Sequence, residues 1–200
     1  MINALSVDVE DYYQVSAFKS TVKFTDWSRY ESRLASNIDK LLTILAEEGV
    51  RATFFILGWV AENYPEIVRR IRAAGHEIAS HGYAHRLVYE QKPDEFLSEL
   101  KKSLDITERI TGNKILGFRA ASFSIIKETL WAFDILKQQG LKYDSSIFPI
   151  VHDLYGIPDA PRYPYRVSED FWEFPMSTVQ IMRRNLPLGG VAILDFIPIA

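Results

Sequence analysis

His81 and His85 lie four residues apart in "SHGYAH" (80–85), and Asp8, Glu10 and Asp11 crowd into "SVDVEDYY" (6–13). Two neutral imidazoles with one carboxylate make a ligand set with open positions, suited to Zn²⁺, Co²⁺, Ni²⁺ or Fe²⁺. Like charges packed at the end of an apolar run are costly unless a cation neutralises them. Both observations therefore call for a divalent metal. Strand alternation puts Asp8 and Glu10 on one side of the chain and Val7 and Val9 on the other. One carboxylate of that pair would bind the metal while the other stays beside it as a base. Asp11 can instead cap a following turn.

Other residues extend the set. Arg119 in "GFRAASFS" (117–124) can clamp a carboxylate by two hydrogen bonds and keep it ionised, or it can form a surface ion pair. Asp144 and Ser145 in "YDSSIFP" follow a strand-like run and suit either a turn or a substrate contact. Tyr155, Tyr163 and Tyr165 fall in a proline-rich stretch and could offer aromatic faces to sugar rings or simply pack, with Trp172 in the same region. His76 precedes its strand and reads as structural, as do Trp59 and Trp131.

The elements that must position these side chains alternate. Strands are expected over 4–10, 51–58, 77–81, 115–120, 141–148 and 171–178, with helices over 31–48, 60–74, 93–111 and 127–139. Residues 149–166 read as a long ordered loop. The alternation predicts parallel β/α units, either a barrel or a doubly wound sheet. Asp8, Glu10, His81, Arg119 and Asp144 all fall at or just past strand C-termini, the edge where chemistry collects in such folds.

Composition narrows the classes. The chain has 200 residues, 48% of them hydrophobic, enough for a substantial core. A net charge of −3 makes no electrostatic case for nucleic acid. With no cysteine, disulfides and thiolate metal sites are excluded. No leader segment and no membrane-length apolar run is visible, so a cytoplasmic location is expected.

Taken together, "SVDVEDYYQV", "TFFILGWVAENYPEIVRRIRAAGHEIASHGYAH", "GFRAASFSI", "YDSSIFPIVHDLYGIPDAPRYPYR" and "FWEFPMST" resemble the NodB-type polysaccharide deacetylases, carbohydrate esterase family 4. Within that family they look like the branch found in bacterial exopolysaccharide (exosortase-associated) loci. The resemblance covers essentially the whole chain. It implies an α/β fold, a distorted (β/α) barrel of about seven units that is incomplete at its C-terminus. It also implies one domain over 1–200 that stops before the last family motif. The implied activity is hydrolysis of acetyl groups from N-acetylhexosamine units of an oligo- or polysaccharide, with a divalent metal, zinc first.

Residue by residue, the family's His-x-x-x-His motif maps onto His81 and His85, and its first catalytic aspartate maps onto Asp8. The next family position, normally the metal aspartate, is Val9 here, which moves the ligand role to Glu10 with Asp11 as the alternative. The Arg-x-Pro motif maps onto Arg119, with Ala121 in place of the proline. The family's late histidine, which protonates the departing amine, has no counterpart, because no histidine follows His152. His152 is the spare imidazole and the candidate acid. Asp144, Ser145, Tyr155, Tyr163 and Trp172 are then the candidates for substrate contact. Two other readings stand beside this one: a glycan-binding protein that keeps the metal motif without turnover, and a metal-dependent amidase of small molecules.

Overall fold

The computed structural model describes residues 4–188. A seven-stranded sheet forms its centre, in the order β1-β2-β3-β4-β5-β7-β6. The strands are β1 Ser6–Val9, β2 Thr53–Ile56, β3 Glu77–Ser80, β4 Gly117–Phe118, β5 Tyr143–Asp144, β6 Tyr165–Ser168 and β7 Phe171–Glu173. Neighbours from β1 through β5 to β7 run parallel, and only β6 runs antiparallel, against β7. Adding each new parallel strand on the same side is how a β/α barrel winds. Among the described residues no ladder joins β6 back to β1.

The helices are α1 Leu34–Glu47, α2 Gly58–Asn63, α3 Pro65–Ala73, α4 Pro93–Thr111 and α5 Ala132–Gln138. Each turns an apolar stripe to the sheet: Leu34, Ile38 and Leu45 from α1, Ile67, Val68 and Ile71 from α3, Phe96, Leu100 and Leu104 from α4. These pack against Val9, Phe54, Ile56, Ile78 and Phe118 in a single core. Helical spacing at 3.6 residues and strand spacing at 2 make both faces apolar toward the same layer.

The expected helix over 60–74 divides in two. Tyr64 precedes Pro65 and sits at φ −132°, ψ 56°, because the proline ring disfavours the helical region for the residue before it. Strands are shorter than expected, β4 and β5 being two residues each. Two elements fall where none was expected. β6 lies in the proline-rich stretch, and a hairpin follows from β8 Thr178–Ile181 and β9 Arg184–Pro187. Its turn residues, Met182 and Arg183, have φ of 47° and 64° without the glycine or asparagine that usually marks such a turn. Gly117 is required for a different reason. The Tyr143 ring lies across β4 so closely that a Cβ at 117 would come within 2.0 Å of it.

Candidate metal centre and its supporting carboxylate

Three loops leaving the C-terminal ends of β1, β3 and β4 supply the site. Glu10 follows β1, and His81 and His85 follow β3. One ligand atom from each of the three lies within 4.8 Å of the others. Glu10 Oε2 is 2.9 Å from His85 Nε2 and 3.9 Å from His81 Nε2. His81 Nδ1 is 2.8 Å from the Arg119 carbonyl oxygen, which can only accept, so Nδ1 donates and Nε2 keeps its lone pair. Burial holds the His81 imidazole below its ordinary pKa, against the pull of Asp8 and Glu10.

These residues fit a divalent cation by a test internal to the structure. Glu10 Oε2 is buried and accepts no hydrogen bond, although two imidazole nitrogens stand beside it. An orphaned carboxylate oxygen facing an imidazole lone pair is unfavourable unless a cation lies between them. Asp11 lies outside this group of three, although its Oδ2 is likewise buried without a hydrogen bond. It is 3% exposed, its Oδ1 accepts from the Arg33 N–H ahead of α1 at 3.0 Å, and its N–H donates to Gln14 Oε1 at 2.7 Å.

Asp8 stands on β1 next to this cluster, and Arg119 holds it. Arg119 Nη1 donates to Asp8 Oδ1 at 2.8 Å. Its other nitrogens are committed as well: Nη2 to Ser6 Oγ at 2.8 Å and Ser145 Oγ at 3.0 Å, Nε to the Ser145 carbonyl at 3.0 Å. The guanidinium lies 4.1 Å from the centre of the Phe55 ring. Burial alone would raise the Asp8 carboxyl, but His81, Arg119 and His85 outweigh it and hold the group below the usual carboxylate range.

Asp144 and Ser145, expected as substrate contacts, lie instead beneath Arg119. Asp144 is fully buried and accepts from Ser146 N–H and Ser146 Oγ at 2.9 and 2.6 Å. Ser145 Oγ donates to the Phe174 carbonyl while accepting from Arg119. Asp144 faces buried Glu173 across the β5–β7 ladder, and Glu173 Oε1 accepts from the Ile147 N–H at 3.0 Å. Burial, and then the neighbouring Asp144, push the Glu173 carboxyl well above the usual range, and burial raises Asp144 too. The pair fastens residues 145–147, and those residues fasten Arg119.

His152 occupies an exposed loop with its ring stacked on Tyr155, centroids 3.8 Å apart, and its Nδ1 accepts from the Leu154 N–H. Among the described residues no hydrogen bond or ion pair links it to Asp8, Glu10, His81 or His85. Tyr155 stacks in turn on Phe148 and meets Phe123 edge-on. Tyr163 is 72% exposed beside Arg162, and Trp172 is partly exposed beneath Arg166. His76 and the two tryptophans pack: His76 accepts from the Ala52 N–H, Trp59 meets Trp27 and Tyr64, and Trp131 meets Phe96.

Three contributors escaped the sequence reading: Ser6, Ser16 and Ser122. Ser16 Oγ lies 3.4 Å from His85 Nδ1 and 2.9 Å from Ser122 Oγ. Isolated loop serines carry no periodic or spacing signal, so nothing in the sequence singles them out.

Comparison with known proteins agrees with this geometry. The profile described as Polysaccharide deacetylase matches residues 22–143, and one described as a domain of unknown function, DUF3473, matches 145–200. The peptidoglycan deacetylase-like protein FGM2 of Gibberella zeae is 33% identical over 173 residues, covering 80% of this chain and 50% of that protein. A peptidoglycan-N-acetylglucosamine deacetylase of Bacillus cereus is 30% identical over 121 residues, covering 53% of this chain and 43% of its own length. The chain thus spans about half the length of these relatives. A crystal structure assigned to the polysaccharide deacetylases, from Mycobacterium smegmatis, superposes with a TM-score of 0.67 at 26% identity, covering 87% of this chain and 58% of that one. With more than half of its residues inside the family profile, which spans His81, His85 and Arg119, this chain belongs to the NodB-type polysaccharide deacetylase family.

Proposed function

We propose that this chain is a metal-dependent hydrolase that removes acetyl groups from N-acetylhexosamine units of a bacterial polysaccharide or its precursor. One observation carries the reading: three metal-ligating side chains meet, at a single sheet edge, a carboxylate clamped by a buried arginine. Glu10 Oε2, His81 Nε2 and His85 Nε2 are the atoms that would hold the cation, zinc first, with cobalt, nickel and iron sharing its taste for imidazole. Bound there, it would polarise the acetyl carbonyl and lower the pKa of water.

Asp8 is the base in this reading. Arg119 keeps it ionised and points one of its oxygens, so the other is free to take a proton from the attacking water. The sugar is an N-acetylhexosamine because both curated relatives are named for peptidoglycan, and one of them for its N-acetylglucosamine. The exopolysaccharide assignment rests on the likeness of the five quoted segments to that branch of the family. Tyr163, exposed on the loop beyond β5, offers a face on which a sugar ring could stack.

A second reading, a glycan-binding protein that retains the metal without turnover, is favoured by His152 standing in an exposed loop, stacked on Tyr155. Metal content and acetate release from N-acetylated oligosaccharides separate the two. The hydrolase reading expects bound metal and released acetate in the wild type, and for Asp8→Asn bound metal with acetate release lost. Tight metal with no release from the wild type favours the binding protein, and full turnover by Asp8→Asn removes Asp8 as the base.

A further inference from the structure

We infer that Ser16 positions His85 as a metal ligand through its hydroxyl, and that Ser122 completes the chain behind it. The inference rests on the metal-site reading above. For each imidazole to offer Nε2 to a cation, Nδ1 must carry the proton and needs an acceptor. His81 satisfies that need with a main-chain group, the Arg119 carbonyl at 2.8 Å. His85 has a side-chain partner instead, Ser16 Oγ at 3.4 Å. With Nδ1–H donating to Ser16, the Ser16 hydroxyl proton is directed to its other neighbour, Ser122 Oγ at 2.9 Å. The order His85, Ser16, Ser122 is therefore set by the requirement at the metal end.

The backbone around this chain is held in a conformation that needs such ties. His85, Ser122 and Phe123 all have positive φ, at 51°, 48° and 53°, and none is glycine. Residues in that region persist when their surroundings over-determine them. The two loops that carry them, after β3 and after β4, are fastened to each other by the Val88 N–H on Ser124 Oγ and the Arg119 N–H on the Ser80 carbonyl. Ser16 comes from a third segment, residues 10–33 between β1 and α1, as the first residue of a short 3₁₀ turn. That segment is docked by Tyr13 and Trp27, both buried, with Trp27 edge-on to Trp59 of α2. Ser16 thus joins the segment that carries Glu10 to the loop that carries His85. Because the contact is a hydroxyl, one oxygen atom can be removed without touching any ligand.

Affinity for Zn²⁺ and Co²⁺, measured by competition with a chromophoric chelator, tests this on the full chain. Ser16→Ala is expected to weaken binding about 10- to 100-fold, the range found when an outer partner of a ligating histidine is lost. Ser16→Thr, which keeps the hydroxyl, is expected to bind as the wild type does, and the Co²⁺ absorption spectrum should change in Ser16→Ala alone. Melting of the metal-free proteins checks that all three fold alike. Wild-type affinity in Ser16→Ala overturns the inference, and so does equal weakening in Ser16→Ala and Ser16→Thr, which would implicate packing of the turn. A wild type that binds neither ion sinks the metal-site reading itself, a result distinct from both.

Discussion

Arg119 spends every nitrogen of its side chain on a fixed partner, and that commitment sets what a substitution there must do. Lysine would carry the same charge but has one nitrogen in place of three. It could reach Asp8 or Ser145, not both together with Ser6. Arg119→Lys is therefore expected to cost most of the ~10²–10⁴-fold that a well-placed base contributes, while metal affinity falls far less. Steady-state rates beside a metal titration check the split, and equal losses in both would show that Arg119 serves the ligands rather than the base. At this scale the sequence was informative where chemistry needs rare residue types. His81, His85, Asp8 and Glu10 stood out because imidazoles and clustered acids are conspicuous at strand ends. Asp144 was conspicuous too, yet its burial beside Glu173 depends on a pairing between β5 and β7 that no local pattern encodes. His152 drew notice as the remaining imidazole, and the structure places it on an exposed loop stacked against Tyr155.

Among the elements, β5 and β7 carry the clearest pH dependence. Glu173 is raised in the folded protein above the ~4.3 of an exposed glutamic acid, so the folded state keeps a proton that the unfolded chain releases. Its contribution to stability is full below that unfolded value and is lost as pH rises through the folded one. Glu173→Gln keeps an acceptor for the Ile147 N–H, and it has no proton to lose. Stability measured against pH should fall for the wild type relative to Glu173→Gln, by at most roughly 1.4 kcal/mol per pH unit. Parallel curves for the two proteins would show that the carboxyl does not stay protonated. The long helices α1 and α4 were legible because their apolar spacing repeats over several turns. The hairpin β8–β9 was not, since Met182 and Arg183 carry no turn signal, and β6 was hidden among prolines that read as loop.

For the whole molecule, the two family profiles meet between Tyr143 and Ser145, yet the sheet crosses that point without a break. β5 pairs with β4 on one side and with β7 on the other. Ser145, from the second region, holds Arg119 from the first. A departing amine needs a proton, and among the described residues His81 and His85 are the imidazoles paired with the Asp8 and Glu10 cluster, while His152 stacks on Tyr155. An alkoxide leaves without such help far more readily than an amine, and a lost general acid costs ~10²–10⁴ in rate. If no residue supplies that proton, the chain should hydrolyse aryl acetates while N-acetylated chitooligosaccharides react that much more slowly, in acetate-release assays at matched enzyme concentration. Comparable rates on the two substrates would mean that a proton donor is at work. Arg119 meets its neighbours twice, by its carbonyl at His81 and by its guanidinium at Asp8. A single residue thus acts as a bracket between the His81 imidazole and the Asp8 carboxylate. The gap separating the two is registered by one α-carbon, so a shift of the strand would carry both together and leave their spacing intact.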